Sequence, residues 1–238
     1  MNYLIFNGRR SDEMGLVISG DGTYNAPKRK STEYKIPGRN GTLIIDDGCY
    51  ENVTVTYPAS IVRDFARNAE ALRAWLLSAP GYCRLEDSYH PDYFRLARYS
   101  GGVDFKNFTP RLRAASVSLV FDCKPQRYLK SGEIQVSGVS GLRNPTAFPA
   151  KPKIKFTAAE TSGTIAVGNC TIAFSDVAVG ETITIDGETM DAITSGLQNA
   201  NKYIAITGGD LVIDGGGYAP IVTSGLSDFE IVPRWWTI

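Results

Sequence analysis

The sequence predicts a mainly β chain in two parts, with one helix in the first, and three observations carry this. Short runs of β-branched and aromatic residues recur along most of the 238 residues, cut by Asn-Gly, Pro-Gly and Asp-Gly turn pairs. One stretch, 60–78, switches to three- and four-residue apolar spacing. Composition changes near residue 131, where Ser131-Gly132, Ser137-Gly138 and Ser140-Gly141 precede Asn144-Pro145, Pro149 and Pro152. That stretch reads as a connection, so the expected parts are 1–131, a linker over 132–149, and 150–238.

In the first part, Tyr3-Leu4-Ile5-Phe6 is a strand stopped by Asn7-Gly8, and Leu16-Val17-Ile18 is a second. Tyr34-Lys35-Ile36 and Thr42-Leu43-Ile44-Ile45 flank Pro37-Gly38-Arg39-Asn40-Gly41, which reads as a hairpin tip because Asn-Gly favours positive φ. Val53–Tyr57 is a strand. Ser60 then reads as the cap of a helix whose stripe is Ile61, Phe65, Ala69, Leu72 and Leu76, ended by Pro80-Gly81. Tyr82–Leu85 is a strand, 86–93 a polar loop, and Phe94–Tyr99 a strand with outward arginines. Val117, Leu119 and Phe121 fall on one face of another strand.

In the second part the strand runs are 153–156, 163–167, 170–174, 182–185, 203–206, 211–213 and 229–232, with turns at Gly168-Asn169 and Asp186-Gly187. This pattern fits a sandwich or a closed barrel.

Composition narrows the function. Apolar residues make up 43% and charged residues 21%, enough for a core and too few charges for disorder. Lys and Arg number 25, as do Asp and Glu, so no overall field draws nucleic acid or a membrane. No stretch nears the roughly 20 apolar residues of a membrane span. The N-terminus lacks a signal-peptide pattern, so a soluble protein made in the cytosol is expected. Cys49, Cys83, Cys123 and Cys170 form no C-x-x-C pair and read as free thiols.

Chemistry has few candidates. His90, the sole histidine, sits with Glu86, Asp87 and Asp92, but no second histidine completes a metal set, and a structured polar loop is the preferred reading. Glu86 and Asp92 are the one suggestive carboxylate pair for a glycan hydrolase. Gly20-x-Gly22 and Gly215-Gly216-Gly217 lack the rest of a phosphate-binding pattern. Asp186-Gly187-Glu188 with Asp191 misses calcium-loop spacing. Lys28-Arg29-Lys30 is a solvated loop or a local positive patch. Trp235-Trp236 should place one ring in the core and one outward, where it is available for docking. No catalytic site, metal or cofactor is expected, so the chain does not read as an enzyme.

The chain resembles the distal tail proteins of long, non-contractile-tailed bacteriophages. The resemblance rests on Phe6-Asn7-Gly8 with Gly15, Ile36-Pro37-Gly38-Arg39-Asn40-Gly41, Leu72-Arg73-Ala74-Trp75-Leu76 before Gly81-Tyr82, and Leu85-Glu86-Asp87 through Pro91-Asp92-Tyr93-Phe94-Arg95. It also rests on Phe121 through Tyr128 and on the ending Pro233-Arg234-Trp235-Trp236-Thr237. It covers 1–130 well and the remainder loosely. It implies an N-terminal β-sandwich with one packed helix, and a C-terminal galectin-like β-sandwich. It further implies a homohexameric ring, single or stacked, at the distal end of a virion tail assembled in the host bacterial cytoplasm. The ring would join the tail tube protein to the tail tip protein, dock receptor-binding proteins, and pass DNA as cargo. The candidate subunit interface is Lys35, Ile36, Pro37, Gly38 and Arg39, since a closing ring needs two complementary surfaces and a strand edge can supply one. Trp235 and Trp236 are the candidate C-terminal docking residues. The alternative function is a carbohydrate-binding adhesion module, with Tyr203, Tyr218 or Trp235 as its aromatic platform.

Overall fold

A computed structural model describes residues 2–111 and 113–238. The chain divides into two units, one running to Arg127 and including Ile238, the other spanning Tyr128–Thr237.

The first unit runs β1 (Leu4–Phe6), β2 (Arg9–Arg10), β3 (Leu16–Ile18), β4 (Arg29–Lys35), β5 (Thr42–Tyr50), β6 (Val53–Ile61), α1 (Phe65–Leu77), β7 (Cys83–Asp87), β8 (Tyr93–Tyr99), β9 (Phe105–Thr109) and β10 (Ala114–Leu129). Its sheet has the order β2-β1-β7-β8-β10-β6-β3, with β9 also on β10. An isolated bridge between Asn2, just before β1, and Ile18 on β3 links the two sides of this path, so the sheet folds over its own core. The long pairing of β10 with β6 runs from Ala115↔Ile61 to Cys123↔Val53. Phe6 on β1 meets Phe121 on β10 edge-on at 5.1 Å between ring centres, across that core.

Period-two burial explains why β6 outlasts its expected end. Val53, Val55, Tyr57, Ala59 and Ile61 are all buried, so the strand continues through Ser60, which pairs with Val17 and Ser116. The expected Ser60 cap and the place of Ile61 in the helical stripe are therefore corrected. The helix starts after Asp64, whose φ of 43° is left-handed and whose side chain caps nothing. Ala69, Leu72, Trp75 and Leu76 form its buried face, and the Trp75 indole N–H donates to the Phe6 carbonyl at 2.9 Å.

A second correction concerns β8. Arg98 is exposed and pairs with Asp122 at 2.8 Å, but Arg95 lies opposite buried Leu85. Cross-strand partners share a face, so Arg95 points inward. Burial lowers the pKa of its guanidinium, and one of its terminal nitrogens has no partner among the described residues.

The second unit carries β11 (Val136–Ser137), β12 (Gly141–Arg143), β13 (Lys153–Ala158), β14 (Gly163–Val167), β15 (Cys170–Phe174), β16 (Thr182–Asp186), β17 (Asp191–Thr194), β18 (Ile204–Thr207), β19 (Tyr218–Ser224), β20 (Leu226–Val232) and β21 (Trp236–Thr237). Two five-stranded sheets, β11-β20-β13-β16-β17 and β12-β19-β14-β15-β18, enclose one core. Phe156 and Phe174 meet between them at 5.0 Å. This is the sandwich arrangement. Residues 132–149, read above as a connection, here contribute one strand to each sheet. The expected strand at Leu211–Ile213 is instead a buried extended segment with a single bridge, Ala150↔Ile213. Its apolar pattern reports burial rather than a ladder.

The closing stretch clamps this unit. Arg234 donates two hydrogen bonds to Asp186, at 2.7 and 2.6 Å, and its backbone N–H reaches the Gly132 carbonyl at 2.7 Å. The Arg234 guanidinium, then the Glu188 amide, hold the Asp186 carboxyl below its usual range. A depressed carboxylate contributes stability above its unfolded pKa and loses that contribution as pH falls through its folded value. Arg234→Met should therefore cost ~1–3 kcal/mol at neutral pH, and the difference from the parent should shrink in denaturant titrations run below about pH 4. Trp75→Phe, which strands the Phe6 carbonyl, should cost ~1–3 kcal/mol by the same measurement.

Candidate assembly interface

β4 and β5 pair only with each other, as a two-stranded ribbon. Arg39 N–H donates to the Ile36 carbonyl at 3.2 Å, with Gly38 at φ 80°. Pro37-Gly38 at the centre of that turn is the type II pattern, because proline presets the first φ and glycine accepts the positive second one. All five residues expected at the subunit interface, Lys35, Ile36, Pro37, Gly38 and Arg39, lie exposed at this tip.

The register decides the ribbon's chemistry. Tyr34 pairs with Leu43 and Thr32 with Ile45, so these four side chains share one face. Glu33, Ile44 and Asp46 belong to the other. Tyr34, Leu43 and Ile45 keep 51%, 39% and 49% of their surface exposed. The ribbon thus carries an apolar face that the chain itself leaves uncovered. Leu43-Ile44-Ile45 reads as a continuous apolar run in the sequence, and only the cross-strand register separates its two faces.

The ribbon's base is held by charge and by β6. Arg29 donates to Asp46 at 2.6 Å and lies 5.5 Å over the Tyr50 ring, while Lys30 reaches Asp47 at 3.9 Å. Two cations of the Lys28-Arg29-Lys30 triplet are thereby faced by carboxylates, which argues against a free positive patch. The Arg29 guanidinium and then the Gly48 amide hold the Asp46 carboxyl below its usual range. Glu51 N–H donates to the Lys28 carbonyl at 2.8 Å, and the incoming chain is tied to β6 by Asn25 on the Thr54 carbonyl at 2.6 Å.

The other sequence candidates take structural places. Glu86 lies opposite Ile5 and accepts from Arg84, whereas Asp87 lies opposite buried Leu4. Adjacent residues of a strand face opposite ways, so the carboxylates around His90 do not converge. Asp87 accepts from the Tyr57 hydroxyl at 2.6 Å and from the His90 backbone at 2.8 Å, and sits 3.1 Å from His90 Nδ1. Burial, and then Asp87, push the Tyr57 phenol well above its usual pKa. Asp92 is exposed, and no metal-holding group of three appears among the described residues. Gly22 carries a left-handed φ of 82° beneath the Tyr89 ring, where a Cβ would lie 3.0 Å from the ring carbon. Gly216 and Gly217 spend their amides on the Thr146 and Asp214 carbonyls, leaving neither for phosphate. Asp186, at the Asp186-Gly187 turn, is engaged by Arg234, a role the sequence did not signal.

Trp235 is a buried core residue, so its ring offers no docking surface. Trp236 is half-buried, stacks on Phe148 at 4.6 Å and donates to the Pro149 carbonyl at 2.8 Å. Tyr203 lies beside Lys202, and Tyr218, 59% exposed, edges a polar cleft of about 300 Å³ with Asp210 and Asp214.

No protein-family model matches the sequence, and no curated protein matches it. Solved structures do. The crystal structure of SPP1 Dit, described as a paradigm of the hub adsorption apparatus in phages that infect Gram-positive bacteria, is similar with a TM-score of 0.80 at 12% identity, over 100% of both chains. A chain of the phage p2 baseplate in its activated conformation is similar with a TM-score of 0.50 at 10% identity, over 97% of each chain. From end to end, the chain has the fold of the SPP1 Dit hub protein.

The thiols give a check on this placement. Burial raises the Cys123 pKa to about 12, while Cys49 sits exposed beside the Gly48 bulge of β5. A thiol-reactive dye at pH 8 should label Cys49 rapidly and leave Cys123 and Cys170 unlabelled until denaturant is added.

Proposed function

We propose that this chain is a structural protein of a phage tail. Six copies close into a ring that joins the tail tube to the tip or baseplate and leaves a passage for DNA, and the C-terminal sandwich docks receptor-binding protein. The full-length likeness of fold to SPP1 Dit carries this reading. The ribbon supplies a means. A closing ring repeats one heterologous contact, so each copy needs a donor surface and a different acceptor surface. The β4–β5 ribbon, with its uncovered Tyr34, Leu43 and Ile45, is the donor arm, and Lys35–Arg39 lead it. The chain performs no reaction in this role. Its neighbours are the tail tube protein and the tail tip protein, at the distal end of the virion tail.

A second reading, carbohydrate binding by the C-terminal unit, has one observation in its favour: the exposed Tyr218 ring beside the carboxylates of Asp210 and Asp214. A glycan array with Tyr218→Ala as control tests it, and specific binding lost in the variant is the supporting result.

Light scattering on a size-exclusion column, with negative-stain images of the peak, tests the ring. The expected mass is about 155 kDa, six times the 25.9 kDa of one chain, with a central hole in the images. Leu43→Asp with Ile45→Asp should stay at 25.9 kDa with an unchanged circular dichroism spectrum. A monomer at every concentration, or a ring untouched by that double variant, contradicts the arm.

A further inference from the structure

A groove of about 570 Å³ opens beside the start of α1. Its floor is aromatic. Phe65 meets half-buried Phe105 edge-on at 5.0 Å and tilts against Phe108 at 4.9 Å. This line of rings begins at the core and ends at the surface, where Phe108 is 51% exposed beside Pro110. Arg67 and Arg113 form the walls. Arg63 and Arg111 flank them in sequence, and none of the four has an ion-pair partner among the described residues. Asp64 is the single carboxylate among the described residues that line the groove.

Three residues around the groove have left-handed backbone. Asp64, Asn107 and Arg113 have φ of 43°, 52° and 48°. Asp and Asn visit the left-handed region readily, so Arg113 is the uncommon one of the three.

We infer that this groove is a docking site for an acidic segment of another protein, anchored by apolar side chains. Exposed aromatic rings ringed by arginine match the composition of interface cores. The two guanidinium groups of the lining, Arg67 and Arg113, against the one Asp64 carboxylate leave the groove net positive, which repels a basic partner and steers an acidic one into place. Nucleic acid fits less well. Single strands need a cationic track several nucleotides long and open ring faces for stacking. Here two cations line a single groove, and the Phe65 and Phe108 rings pack against each other at 4.9 Å. The groove shares no residue with the β4–β5 ribbon, so docking here and ring assembly are separately measurable.

The test is fluorescence anisotropy of the full chain with a short labelled peptide alternating glutamate with leucine and phenylalanine. Its controls are the same peptide with lysine for glutamate, and a labelled oligothymidylate. Expected are saturable binding of the acidic peptide, weaker binding at higher salt, and a loss of about ten-fold in Arg67→Glu with Arg113→Glu. Phe108→Ser should weaken it as well, with thermal melting unchanged in both variants. Four results would each overturn the assignment: no saturable binding, equal binding of the lysine peptide, tighter binding of oligothymidylate, or loss of self-association in the double arginine variant. The last would give the groove to a second copy of the chain.

Discussion

A two-stranded ribbon has two faces and no interior. It cannot bury apolar side chains against itself, and alone it is at most marginally stable. The β4–β5 ribbon nonetheless places Tyr34, Leu43 and Ile45 on one face, with a type II turn at its tip and an Arg29–Asp46 pair near its base. That uncovered face is the constraint from which the functional reading follows. In the proposed ring, a second copy covers it. Two unrelated parts of the fold make the arm usable. Its two legs are joined at Lys28 and Glu51, the incoming one is tied to β6 through Asn25, and β6 is locked along its length to β10.

The C-terminal unit shows the opposite strategy. Its last residues return to its first ones and are used up in doing so. Gly132 lies so close beneath Trp235 that a Cβ there would fall 2.3 Å from the Trp235 nitrogen. Leu129 N–H donates to the Trp235 carbonyl at 2.9 Å, and Trp236 closes on Phe148 and Pro149. The tryptophan pair, conspicuous in the sequence, is mostly structural. What remains outward on this unit is the polar cleft beside Tyr218 and scattered exposed apolar residues such as Val179, Leu197 and Val222.

Much of the fold is legible in the sequence because period-two and helical spacing are local. The single helix and most strands of the second unit are visible this way, whereas the hairpin tip, read from Asn40-Gly41, has its turn centred on Pro37-Gly38 instead. The misreadings have one origin. Ser60 resembles a helix cap, yet the core-facing alternation from Val53 carries the strand past it. Arg95 resembles a surface charge, yet its position opposite Leu85 turns it inward. The tip residues Lys35–Arg39 are visible through their turn chemistry, while the apolar face behind them is not. Faces are assigned by cross-strand register, which couples residues far apart in the chain. The same limit hides Arg234, whose partner Asp186 is 48 residues away.

The most direct measurement of the central claim is hydrogen exchange across residues 29–50, compared between assembled protein and a monomeric Leu43→Asp, Ile45→Asp variant. The account predicts rapid exchange throughout the ribbon in the monomer and strong protection in the assembly, with β6 and β10 protected equally in both. Equal protection of the ribbon in the two states would show that its apolar face needs no partner, and would contradict the account.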